Sequence, residues 1–316
     1  MARLATASKR FVSYYRGAMM LCTCLGILAV DFRAFPRRFA KVETFGTGLM
    51  DAGVGSFVFA SGLLSEVGGR RQAHGHRSRW SSLCTALRSM LPLLVLGAIR
   101  LVITKAAAYQ EHVGEYGLHW NFFFTLAAIT LLHRLVQLPP RWLLFSGSFL
   151  LMVHELLLKR PQEGRCCSLQ KDLEQWHEGS QLRRLWDWLL RLASLTAAMW
   201  LVFSASLASA DPVSRRACNA SYVLWMLAYN MLMLLLFAAA EVLAPNAQDS
   251  SLLQALNSHM LPVFLLANVL TGAINMSIDT LAVGDWAARG IVALYMLVLC
   301  GGAVAADARG IRLKFW

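Results

Sequence analysis

Residues 222–243 read YVLWMLAYNMLMLLLFAAAEVL, with no glycine or proline and no charge before Glu241. A bilayer-spanning helix needs about 20 predominantly apolar residues, and this stretch supplies them. It lacks the strict alternation that marks a half-buried strand. Eight other stretches read the same way: Arg16–Asp31, Thr47–Val67, Met90–Lys105, Trp120–Leu138, Trp142–Leu158, Leu185–Ser209, Met260–Leu281 and Trp286–Ala306. Their apolar runs give an expected fold class that is all-α: a polytopic transmembrane helical bundle of about nine spans. It forms a single domain over 1–316, with polar loops at 32–45, 68–88 and 159–184.

Composition agrees. Of 316 residues, 57% are hydrophobic and 15% charged, against about 25% charged in soluble domains. Mean hydropathy is +0.50. Those values exclude a soluble globular enzyme, a disordered chain and a disulfide-rich secreted domain. The net charge of +12 belongs to loops that meet lipid headgroups or an anionic substrate, since no basic module for nucleic acid stands outside the apolar segments. Lysines and arginines fall about equally on alternate sides, so they do not orient the bundle. The 7 cysteines read as packing residues and loop thiols rather than a disulfide framework. The basic opening followed by an apolar run has no small-residue cleavage site, and reads as a retained helix.

Ionisable groups in or beside a span are costly and therefore draw attention. Asp31 closes the first span, and Lys41 follows ten positions later, past Phe35-Pro36. Proline ends the helix, so the two can face one another across a turn at the membrane surface. A carboxylate beside a lysine can take a proton from a hydroxyl, while the lysine, Arg37 and Arg38 can hold an oxyanion or phosphates. An interfacial basic patch with one acidic counter-ion fits the same spacing. Further on, His112, Glu115 and His119 share one helical face. That suits a metal, but Gly114 and Gly117 interrupt the helix, and a polar segment at the membrane boundary, ending in His119-Trp120-Asn121, is the plainer reading. Asn268, Asn275 and Asp279 also share a face, expected to turn into the bundle. Asp51 beside Gly53-Val54-Gly55-Ser56 suits either ligand approach or close helix crossing. No Gly-x-Ser-x-Gly elbow, phosphate-binding loop or dinucleotide motif occurs.

Several ordered blocks resemble one family. They are DFRAFPRRFAKVET (31–44), GTGLMDAGVGSFVF (46–59), YQEH (109–112), EYGLHWNFFF (115–124), YVLW with AYN (222–225, 228–230), LPVFLLAN with LTG (261–268, 270–272) and KFW (314–316). Together they are similar to the phosphatidylinositol-glycan class W proteins, the inositol acyltransferases of GPI-anchor biosynthesis. The resemblance implies transfer of a fatty acyl group, usually palmitoyl, from acyl-CoA to the inositol 2-hydroxyl of glucosaminyl-phosphatidylinositol. It implies the endoplasmic reticulum membrane, no metal or redox cofactor, and acyl-CoA and the glycolipid as partners. Asp31 and Lys41 match the positions expected to be catalytic, with Asp31 as base and Lys41 steadying charge. Arg37 and Arg38 are expected on phosphate, and Asp51, Glu115, His119, Asn121 and Asn275 are expected at the substrate. Family members begin upstream, so the chain is expected to be the carboxy-terminal majority of a larger bundle. An anionic-lipid transporter or flippase, or an inactive truncated member, are the alternative readings.

Overall fold

The computed structural model describes residues 2–72, 79–106, 120–135, 140–158, 181–209, 211–244 and 248–311. The described residues form helices with no strand between them. In chain order these are α1 (Ala2–Ala29), a 3-10 turn at Arg37–Phe39, α2 (Leu49–Gln72), α3 (Arg79–Ala106), α4 (Phe122–Leu135), α5 (Pro140–Leu158), α6 (Gln181–Ser209), α7 (Ala220–Leu243), α8 (Ser251–Ser258), α9 (Met260–Ser277) and α10 (Asp285–Ala308).

Among the described residues five helices are long and apolar enough to cross a membrane: Arg10–Ala29, Trp186–Ala208, Ala220–Leu243, Met260–Ser277 and Asp285–Ala308. The expectation of about nine reaches no further than these five. The other four stretches hold shorter apolar helices of 10–17 residues. Those apolar parts, Leu49–Leu63, Met90–Val102, Phe122–Leu132 and Phe145–Leu158, fall below the roughly 17 residues at the short limit of a span. The polar segment 68–88 also differs from a loop. Helix α2 continues to Gln72 and α3 begins at Arg79, because long charged side chains are good helix formers outside lipid. Residues 73–78 and 159–180 lie outside the described residues.

Helix α1 is the centre of the packing, in contact with α2, α7, α8, α9 and α10. Its buried side chains Phe11, Tyr15, Met19, Cys24 and Leu28 recur at roughly one-turn spacing. The half of α1 nearer Asp31 packs Met20, Cys24 and Leu28 against Val263 and Ala267 of α9 and Val292, Tyr295 and Leu299 of α10. The other half packs against Leu189 of α6 and Leu234 and Ala238 of α7. Phe57 of α2 stacks edge-on with Phe122 of α4 and Phe264 of α9.

Lipid is as apolar as leucine, so close fit and interhelical hydrogen bonds hold such helices together. Tyr15 donates to the Asn230 side-chain carbonyl at 2.5 Å, and Asn230 donates back to the Met226 carbonyl at 2.6 Å. The Tyr295 hydroxyl lies 3.1 Å from the Cys24 carbonyl. Gly17 lets α8 cross α1, since a Cβ there would collide with the Leu253 carbonyl.

Gly17→Ala should therefore lower stability by about 1–3 kcal/mol through overpacking. Gly290→Ala, in open space, should raise it by about 0.5–1 kcal/mol. Thermal unfolding of the two variants in one detergent checks the pair; equal shifts would count against the crossing.

Candidate functional site

The site lies where α1 and α9 end and α2 and α7 begin. After Ala29 the chain tightens into successive i→i+3 turns. Asp31, Phe32 and Phe35 donate N–H to Leu28, Ala29 and Phe32 at 3.1, 3.2 and 3.2 Å. Phe32, 1% exposed, anchors this end in the core. Pro36 then opens the 3-10 turn, closed by Phe39 N–H on the Pro36 carbonyl at 3.0 Å and Ala40 N–H on Arg37 at 2.9 Å. Arg37 and Arg38 face outward, and the Arg38 guanidinium sits 5.4 Å over the Phe39 ring.

Asp31 is half-buried. Asn275, from the end of α9, donates its amide to Asp31 Oδ2 at 2.8 Å. Burial pushes the Asp31 carboxyl above the ordinary carboxylate value, while the Asn275 bond and the Arg37 charge pull it down. So Asp31, Arg37 and Asn275 are brought together. Lys41 stands exposed on the same turn, just beyond the 3-10 segment.

Asp51 has another setting. It is fully buried. Gly48 N–H donates to Oδ2 at 2.9 Å, Val42 N–H reaches Oδ2 at 3.2 Å, and Arg215 Nε binds Oδ1 at 2.5 Å. Gly48 has no room for a side chain, because a Cβ would strike the Ala40 carbonyl. The Tyr222 hydroxyl donates to the Asp51 backbone carbonyl at 2.9 Å. Asp51 is thus a clamp on the 42–48 segment, while its chain neighbours Met50, Ala52 and Gly53 line the open cleft beside it. A buried carboxylate must find donors, and here backbone amides and an arginine supply them.

Arg215 belongs to residues 211–219, which join α6 to α7. Asn219 shapes this segment. Its side-chain oxygen accepts from Ser214 N–H at 3.0 Å and Tyr222 N–H at 3.1 Å, capping α7, and its amide donates to Pro212 O at 2.8 Å. The segment also holds the 42–48 turn directly. Gly46 N–H donates to Val213 O at 2.8 Å, Ser214 Oγ to Thr44 O at 2.8 Å, and Arg216 pairs with Glu43 at 2.7 Å. Arg215 went unnoticed in the sequence. The available signal was the unpartnered acid at Asp51, which required a cation from elsewhere in the chain.

Asn121 is buried and caps α4. It accepts from Phe123 and Phe124 N–H at 3.0 and 3.3 Å and donates to the Gly97 carbonyl of α3 at 2.8 Å. Those contacts tie α4 to α3, away from the Asp31 turn. Glu115 and His119, with His112, lie outside the described residues. The shared face of Asn268, Asn275 and Asp279 does not turn into the bundle. The buried face of α9 is Leu261, Val263, Ala267 and Thr271, while Asn275 and Asp279 are exposed. Asn268 is half-buried and donates to its own helix at Phe264 O, 2.7 Å away. Asp279 follows the helix end and accepts from Leu281 N–H at 3.1 Å.

A cleft of about 110 Å³ opens between α1, α2 and α7. Its walls include Cys22, Gly26 and Ile27 of α1, Leu49 and Gly53 of α2, and Tyr229 of α7. It is mainly apolar, and it starts one helical turn before Asp31, beside the first residues of α2.

These features define a multi-span helical membrane protein with a polar turn at the head of an apolar cleft. A family model described as GWT1 matches residues 2–165 and 161–306, and the chain belongs to that family. It is 37% identical to GPI-anchored wall transfer protein 1 of Gibberella zeae over 98% of this chain and 75% of the relative. The corresponding protein of Eremothecium gossypii is 38% identical over 89% of this chain and 71% of its own length. An uncharacterized protein of Arabidopsis thaliana is 38% identical over 96% of this chain and 75% of its own.

Asp51→Ala should cost about 3–5 kcal/mol, the penalty for leaving a buried partner charge uncompensated. Asn121→Ala should cost about 1 kcal/mol as a lost helix cap. Unfolding midpoints of both variants, measured side by side, check that ordering.

Proposed function

We propose that the chain is an acyl-CoA-dependent O-acyltransferase of GPI-anchor biosynthesis, acting in the endoplasmic reticulum membrane. It moves a fatty acyl group, palmitoyl by preference, to the inositol 2-hydroxyl of glucosaminyl-phosphatidylinositol. Family membership and the relatives named as GPI-anchored wall transfer proteins support the pathway. The observation that carries the chemistry is Asp31, half-buried, hydrogen-bonded by Asn275, and one turn beyond the cleft wall at Ile27.

In this reading the acyl chain enters the cleft and the thioester stops at its head. Asp31 takes the proton of the inositol hydroxyl as its oxygen attacks the thioester carbonyl carbon. The tetrahedral oxyanion is met by Lys41. It then collapses, breaking the carbon–sulfur bond. The CoA thiolate leaves and takes up the proton that Asp31 received. Arg37 and Arg38, exposed beside the turn, bind phosphates of CoA or of the lipid. Glu115, Asn275 and the segments that carry Asp51, His119 and Asn121 are the further candidates to line the substrate cavity. Acyl-CoA serves as co-substrate, and no other cofactor enters the chemistry.

The purified protein in lipid vesicles, given acyl-CoA and glucosaminyl-phosphatidylinositol, should form acyl-inositol product. Asp31→Asn should lower the rate by about 10²–10⁴-fold, and Lys41→Ala should also lower it. Wild-type rates in both variants would remove the assignment. Movement of the lipid between leaflets without acyl product would point instead to a transporter.

The pH profile tests the same base. Asp31 must be ionised to act, and burial raises its pKa, so activity should fall on acidification at a pH above that of a free aspartate. The Asn275 bond favours the carboxylate. Asn275→Ala should therefore move the acid limb to still higher pH. An unmoved limb would separate Asn275 from the base.

A further inference from the structure

Lys41 is carried by a segment with no regular structure between the 3-10 turn and α2. A single buried carboxylate closes that segment. Asp51 accepts from Val42 N–H, the peptide next to Lys41, and from Gly48 N–H at the segment's other end. Its remaining charge is met by Arg215, whose side chain is 7% exposed. Arg215 in turn sits on residues 211–219, which Asn219 fixes to the first turn of α7.

The geometry points to Arg215 and Asp51 as a positioning pair that sets where Lys41 stands relative to Asp31. This rests on the acyltransferase reading above. Both side chains are engaged with the turn and with each other, Asp51 on the Val42 and Gly48 amides and Arg215 on Asp51. The pair acts by anchoring the Lys41–Val42 peptide to the α6–α7 connection, while Asp31 is placed independently by the end of α1 and by Asn275. The base and the cationic group thus sit on separate supports, and the ion pair holds them in register. Misplacement of a catalytic group by about 1 Å can cost on the order of 10²-fold in rate, so a pair remote from the chemistry can control it.

Two measurements on the full chain in detergent or vesicles decide this, using Arg215→Gln, Arg215→Lys and the double variant Asp51→Asn/Arg215→Gln. The first is hydrogen–deuterium exchange of peptides covering 41–48, compared with peptides of α1 and α10. Arg215→Gln should speed exchange in 41–48 while α1 and α10 keep wild-type protection. The double variant pairs two neutral amides and should restore part of the protection. The second is kcat against KM for acyl-CoA. Arg215→Gln should lower kcat by about 10–100-fold with little change in KM, and leave the acid limb set by Asp31 where it is. Arg215→Lys keeps the charge and should be the mildest change. Unchanged exchange in 41–48, or a wild-type kcat in Arg215→Gln, would overturn the inference. Loss of protection throughout α1 and α10 as well would overturn it too, by showing a general structural role. The acyltransferase reading fails separately: a wild-type protein that moves no acyl group sinks it, whatever the exchange shows.

Discussion

A carboxylate buried at the start of an apolar helix must be satisfied from within the protein, and the environment of Asp51 follows from that requirement. Moving such an ion from water into a low-dielectric interior costs several kcal/mol even after relaxation. Asp51 is fully buried, so every compensating donor must come from nearby chain. Two are amides of the segment preceding α2, and one is the Arg215 guanidinium from far along the sequence. Satisfying one charge therefore folds an otherwise irregular turn and fixes it to the α6–α7 connection. Ser214, Arg216 and the Gly46–Val213 contact add to an arrangement already set by that pair.

The apolar architecture serves the same end of the molecule. Helix α1 is gripped by α7, α8, α9 and α10 along its buried stripe. Its neighbouring face, toward α2, is left as a cleft rather than filled. Buried polar contacts such as Tyr15 with Asn230 supply interhelical specificity where lipid offers no hydrophobic drive. Helix α1 ends two residues before Asp31, which lies four positions past Ile27 of the cleft wall, and Asn275 from α9 meets it there. This end of the bundle thus brings a half-buried carboxylate, a basic turn and the rim of an apolar cleft onto neighbouring stretches of chain.

Much of this was legible from residue order. Long apolar runs such as 222–243 announced spanning helices because a bilayer imposes length and composition directly. Asp31, Pro36, Arg37 and Lys41 announced a polar turn because proline ends helices and charges avoid lipid. Legibility failed where partners are distant. Asn121 caps α4 and bonds the Gly97 carbonyl, 24 residues earlier, a partner that no local pattern names. The face of Asn275 and Asp279 seemed bound for the interior. It lies exposed at the end of α9, whose buried side is taken by Leu261, Val263, Ala267 and Thr271.

The sequence by itself determined an all-helical membrane protein with a charged turn after its first span, because hydropathy and local turn chemistry act over short stretches of chain. Only the tertiary structure decided which polar groups meet. It joined Asp31 to Asn275 across 244 positions and Asp51 to Arg215 across 164. No local pattern encodes such pairings, since they depend on which helix ends pack side by side. The structure thereby separated the acid that meets Asn275 at the end of α1 from the acid that holds the turn in place.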